Sequence, residues 1–225
     1  MQNKSTHHEL LEAWDWETGR PTGARIERDR AHREGIPHES VHLWIVRNVQ
    51  ENPEILFQHR APHKELYPDC LDITAAGHVP YGFRGNKILK EADEEIGISP
   101  DDSDLIDLGW YRYEERNNRF HHRELQHVFM LRDDRPLDRY HFKDKEVCGI
   151  YAVTIKGLGE ILAGNISIPA RGFNGRECIQ KSVSRRDFHS QLFDPSMEQY
   201  MEMVLKAAHE LATKGRITTF MPESV

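Results

Sequence analysis

The sequence predicts an α/β fold with a helical C-terminal appendage. Two observations carry that expectation. Short runs rich in β-branched and aromatic residues recur between positions 41 and 155, with turn residues separating them. Two helical patterns break the series: a capped acidic segment over 86–96 and a long amphipathic one over 196–213.

Taken in order, residues 12–30 read as a strand, a Thr-Gly-Arg-Pro-Thr-Gly turn and a return segment, followed by a histidine-bearing link, AHREGIPHESVH. Strands are expected at 41–49, 54–60 and 71–76, the last ending at Gly77. Asn86 caps the acidic helix, Ile88, Leu89, Ala92 and Ile96 share its apolar face, and Gly97 stops it. Further strands are expected at 105–115, 120–132 and 146–155, with a short helix at 156–163. From Arg171 the chain changes character: a basic loop (SVSRRDFH), a turn at Phe193-Asp194-Pro195, and the final helix. This places one domain over 1–170 and a packed appendage over 171–225.

Composition narrows the function. The chain of 225 residues is 38% hydrophobic and carries a formal charge of −7, which disfavours a nucleic-acid polymer as partner because phosphate backbones attract basic faces. Its mean hydropathy of −0.71 leans polar. Three scattered cysteines, Cys70, Cys148 and Cys178, make neither a zinc knuckle nor a disulfide framework. With a polar start and no apolar run long enough to span a bilayer, a cytoplasmic setting without membrane contact is expected. Oligomeric state is left open, a homodimer included.

The most informative segment is KILKEADEEIGI. Glu91, Glu94 and Glu95 stand at i, i+3 and i+4 on one helix face. Three like charges there repel, and magnesium, a hard cation with a preference for oxygen, would compensate them. The plain alternative is a solvated face with Lys87–Glu91 and Lys90–Glu94 as surface ion pairs.

The stretch Ala76 to Ile98 resembles the Nudix box. Glu91, Ala92, Glu94, Glu95, Gly97 and Ile98 occupy its second half. The first half departs: Gly77 lies one residue close, Gly82 or Phe83 stands where the box has its first Glu, and Lys90 replaces its Arg. The strings HESVHLWIV, RAPHK, AAGHVP and RELQHVF extend the resemblance to the Nudix branch that includes isopentenyl diphosphate isomerase. That resemblance implies an α/β/α sandwich around a mixed sheet and a small-molecule diphosphate substrate gripped by Arg60 and Lys64. It implies magnesium, or manganese, held by Glu91, Glu94 and Glu95, with the carbonyl of Ala76 or Gly77 as a further ligand. Glu91, Glu95 and Glu124 are the expected catalytic carboxylates. It also implies a candidate second, transition-metal site at His32, His38, His78 and Glu124, with His122 at the isomerase's other acidic position; histidines that bridge strands by hydrogen bonds without metal are the alternative.

Two departures point away from isomerisation. Ala76 stands where the isomerase has its catalytic cysteine, and Ser196 where it has a tryptophan. Moving a double bond needs a proton donor and acceptor on opposite faces, and the thiol is missing. Hydrolysis of a diphosphate linkage is the expected reaction; an isomerase-like enzyme and a non-catalytic ligand sensor are the alternatives. Arg185 and Arg186 read as a surface loop rather than a lid. Trp14, Trp16, Trp44 and Trp110 read as core or edge aromatics, and His7, His8, His121 and His141 receive no role.

Overall fold

The computed structural model describes residues 9–49, 51–64, 67–116, 121–164 and 166–222. Its strands are β1 (Leu10–Asp15), β2 (Arg20–Glu27), β3 (His38–Val49), β4 (Asn52–Arg60), β5 (Leu71–Ile73), β6 (Ala75–His78), β7 (Ile106–Arg116), β8 (His121–Arg132), β9 (Val147–Thr154), β10 (Ser167–Phe173) and β11 (Cys178–Ser184). The helices are α1 (Arg28–Glu34), α2 (Lys87–Ile96), α3 (Ile155–Ala163) and α4 (Glu198–Lys214).

The strands among the described residues join one mixed sheet whose main path runs β11-β10-β9-β4-β3-β1-β2. The β3–β8 pair is parallel, from His38↔Glu124 to Val46↔Arg132, and the other strand pairs are antiparallel. Alternation along β3 sends its side chains to two different cores. Trp44 and Val46 pack with Tyr200, Val204 and Leu211 of α4, while Val41, Leu43 and Ile45 pack with Ile88, Ala92 and Ile96 of α2. Helix layers therefore cover both faces of the sheet, which is the expected sandwich.

The centre of the sheet is split. β3 and β4 pair only next to their hairpin, from Val46↔Ile55 to Val49↔Asn52, and then diverge. Each takes a new partner inside the opening: β5 lies along β4 and β6 along β3. Thr74 makes the step between them. Its hydroxyl donates to the Leu56 carbonyl and accepts from Ile45 N–H, bonding both diverging strands. The single strand expected at 71–76 is thus two, because the chain changes partner at this residue.

Three other expectations change. Helix α1 spans the end of the return segment and the start of the histidine-bearing link, and is closed by Gly35 in the left-handed conformation (φ 69°). Its short pattern, RDRAHRE, holds only Ala31 as a buried residue, too little apolar signal to betray a helix. The basic stretch expected as a loop begins inside β11 and turns into a 3₁₀ turn, Arg185–Asp187, only afterwards. The sheet also runs across residue 170, since β10 pairs with β9 through Arg171↔Ala152. His121, given no role, packs its ring against Gly35, where a Cβ would lie 2.2 Å from Nδ1.

Trp44 is fully buried, and Trp14 and Trp110 lie against each other with ring centres 5.3 Å apart. His7, His8 and Glu65 lie outside the described residues. Among the described residues, no helix is long and apolar enough to cross a membrane.

Candidate active site and metal centres

The acidic helix forms as its sequence dictates. Asn86 accepts from Ile88 N–H at its start, and Gly97 closes its end at φ 69°. Glu91 and Glu95 are buried and Glu94 is half-buried. The helix approaches β6 closely because Gly77 has no side chain: a Cβ there would sit 2.7 Å from the Glu91 carboxyl carbon.

Among the described residues, the sets of ligand atoms lying within 4.8 Å of one another include Glu95 but neither Glu91 nor Glu94. Glu91 pairs with Lys87 and Glu94 with Lys90. Glu95 reaches the split in the sheet, where its Oε2 accepts from Ala76 N–H at 3.0 Å and from the Gln58 amide at 3.3 Å. Asp144 and Glu146 join it there, the three carboxylates coming within 4.8 Å of one another. Burial pushes the Glu95 carboxyl up to about 8, and the neighbouring Asp144 and Glu146 charges push the same way against the Ala76 hydrogen bond. Burial also raises Asp144. Such a cluster is costly without a cation and suited to one, so the carboxylate set fits a hard divalent ion.

Asp144 and Glu146 were not foreseen, because the string KDKE looks like any charged loop. The fold selects them through the helix end. Lys143 N–H and Asp144 N–H donate to the Glu94 carbonyl at 3.2 and 3.1 Å, and His141 N–H donates to the Ile96 carbonyl at 3.0 Å. These loop amides satisfy carbonyls that the end of α2 leaves unpaired. His141, given no role, fits here because Gly97 is bare: a Cβ would lie 2.4 Å from the His141 carbonyl oxygen.

Arg60 and Lys64 stand at the rim, each held by a carboxylate. Arg60 donates from Nη1 to Asp72 at 3.1 Å and from Nε to the Tyr67 carbonyl at 3.0 Å. Lys64 pairs with Glu146.

A second cluster lies at the far end of β6. His32 from α1, His38 from β3, His78 from β6 and Glu124 from β8 offer ligand atoms within 4.8 Å of one another. His122 joins them, its ring centre 4.4 Å from that of His32 and its Nδ1 3.8 Å from Glu124 Oε1. Glu124 Oε1 also lies 3.6 Å from His78 Nε2 and 4.0 Å from His38 Nε2. His38 Nδ1 bonds the Ile36 carbonyl at 2.9 Å, which as a donor leaves Nε2 with a lone pair facing His32 Nε2 at 3.2 Å. Burial and the neighbouring imidazoles hold His32 well below its ordinary range and His38 at about 4. Burial would raise Glu124, but His122 and His78 beside it outweigh that and hold it well below the carboxylate range. A set of imidazoles gathered around a carboxylate suits a borderline transition ion such as zinc or manganese.

Position 76 carries no thiol, and the Ala76 amide is committed to Glu95. Ser196, at the place of the isomerase tryptophan, donates its hydroxyl to Asp194 at 2.6 Å.

No family model matches the chain. It is 28% identical over 188 residues to an uncharacterized Nudix hydrolase of Clostridium acetobutylicum, covering 81% of this chain and 89% of that protein. It is 34% identical over 82 residues to Nudix hydrolase 3 of Arabidopsis thaliana, 36% of this chain but only 10% of that longer protein. Among solved structures it resembles DR0079 from Deinococcus radiodurans at 22% identity and a TM-score of 0.50, over 69% of this chain and 90% of that one. The structural likeness speaks for the fold alone. In sequence the chain is similar to Nudix hydrolases, over most of its length in the Clostridium protein.

Proposed function

We propose that this chain is a metal-dependent Nudix hydrolase that cleaves a diphosphate linkage in a small molecule. The observation that supports it most is the meeting of Glu95, Asp144 and Glu146 at the split in the sheet, beside the Ala76 amide and flanked by Arg60 and Lys64. Magnesium or manganese bound there would neutralise phosphate charge and lower the pKa of water. Glu95, Asp144 and Glu146 are the residues we assign to hold it. Arg60 and Lys64 bind the substrate's diphosphate, exchanging their carboxylate partners for phosphate oxygens. Glu91, paired with Lys87 against Gly77, positions the helix on β6. Glu94 is a supporting carboxylate at the exposed edge, and its main-chain carbonyl anchors the loop that carries Asp144. Catalysis rests on positioning and charge neutralisation.

The histidine cluster favours a second reading for part of the molecule: a transition-metal centre at His32, His38, His78 and Glu124, with His122 beside it. An isomerase would use such a centre together with a thiol, and Ala76 supplies none. Glu124 thus serves the cluster, and is the carboxylate available for proton transfer on that side of β6.

A panel of nucleoside diphosphate derivatives and isoprenoid diphosphates, scored for released phosphate with and without magnesium, tests the reading. Glu95→Gln keeps shape and removes charge, and should lower the rate by roughly 100-fold or more. Near-native turnover in that variant, or deuterium exchange into isopentenyl diphosphate at an enzymatic rate, would overturn the assignment.

A further inference from the structure

Glu124 is anchored at one oxygen and presented at the other. Its Oε1 faces His38, His78 and His122 at 3.6–4.0 Å. Its Oε2 accepts from the Ser40 hydroxyl at 3.0 Å and from the Gln126 amide nitrogen at 3.3 Å. All three residues are buried. The parallel register sets Ser40 of β3 directly beside Gln126 of β8, with His38 beside Glu124 one step earlier on the same face. The two anchors therefore reach one carboxylate from adjacent strands.

Gln126 carries a cost that packing does not explain. An ionised carboxylate only accepts hydrogen bonds, so the NH₂ side of the carboxamide must face Glu124. That turns Oε1 the other way, where it is buried with no hydrogen-bond partner among the described residues. An apolar side chain such as leucine would fill most of the space without burying an unpaired acceptor, and such an acceptor is destabilising.

We propose that Ser40 and Gln126 are positioning residues for a transition-metal centre: together they fix Glu124 so that its Oε1 is held toward the histidines. This rests on the reading of that cluster as a metal site, and goes beyond it by assigning two residues that are not ligands. Outer partners of this kind orient a ligating carboxylate, and losing one typically weakens metal binding by about 10- to 100-fold.

The test uses the full chain, purified without a histidine tag, stripped of metal and titrated with zinc against a chromogenic chelator. The unaltered protein should bind one equivalent that His38→Ala abolishes. Gln126→Leu and Ser40→Ala should each weaken that equivalent by about 10-fold or more. A purely structural glutamine would instead leave zinc affinity unchanged in Gln126→Leu while stability in urea falls. Should Gln126→Leu fail to fold, Ser40→Ala decides the matter. Zinc affinity unchanged in Ser40→Ala would overturn the positioning role while leaving the metal centre standing. No zinc bound by the unaltered protein would overturn both, and would leave the magnesium reading untouched.

Discussion

Glu95 shows how burial and nearby charge perturb a carboxyl group. Its carboxyl sits inside the split, and burial and two nearby carboxylates push it up to about 8. The folded chain therefore holds this proton more tightly than the unfolded chain does. The stabilisation is complete below the ordinary carboxylate range and is lost as pH rises through about 8. A cation reverses the balance, because it binds the deprotonated form. Magnesium should then raise the melting temperature more at pH 8.5 than at pH 6.5, and a shift equal at both would remove Glu95 from the site. At the rim, Arg60→Ala and Lys64→Ala should each raise KM by the equivalent of about 1.5–3 kcal/mol, the worth of a charge-assisted hydrogen bond. Michaelis constants unchanged in both would leave them as partners of Asp72 and Glu146 only.

At the scale of elements, the end of α2 organises the site. Asn86, the apolar stripe and Gly97 made this helix legible in the sequence, and the structure reproduces both caps. The resemblance names Glu91, Glu94 and Glu95 as one set; in the structure Glu91 pairs with Lys87 and Glu94 with Lys90, while Glu95 lies with Asp144 and Glu146. Asp144 and Glu146 lie some fifty residues away, and reach Glu95 only because backbone amides of their loop dock on the helix end. No local pattern encodes such docking. It can be tested at Gly97, where alanine meets both a left-handed backbone (φ 69°) and the His141 carbonyl. Gly97→Ala should cost at least about 1–2 kcal/mol by chemical denaturation and weaken magnesium binding as the loop is pushed off. A variant with reduced stability but unchanged magnesium affinity would show that the loop does not position the metal.

For the whole molecule, α4 is the question. Its buried face supplies Tyr200, Met201, Val204, Ala207, Ala208 and Leu211 to the same core as Trp44 and Phe57. Tyr200 joins it to the sheet by polar contacts as well, its hydroxyl bonding His42 Nδ1 at 2.8 Å and accepting from Trp44 Nε1 at 2.9 Å. Residues 171–225 should therefore be inseparable from the rest. A chain ending at residue 170 would expose Trp44 and neighbouring β3 side chains, strand β10 midway, and lose cooperative unfolding. A sharp thermal transition in that truncated protein would instead make the tail a dispensable attachment.

What the sequence determined by itself was local and periodic: strands, capped helices and the glutamate pattern of α2. All three depend on neighbours within a few residues, where hydrogen-bonding and side-chain periodicity are fixed. Supplemented by the resemblance, it also named the histidines of the second cluster. What only the tertiary structure decided was which groups meet. His32, on a helix hidden by its weak pattern, reaches His38 and His78 because α1 packs beside β8 and β6 fills the opening along β3. Glu95 meets Asp144 and Glu146 because a loop pairs with the last carbonyls of a helix. Contacts between residues far apart in sequence depend on how the sheet splits and how its layers pack, and neither is written in any single segment.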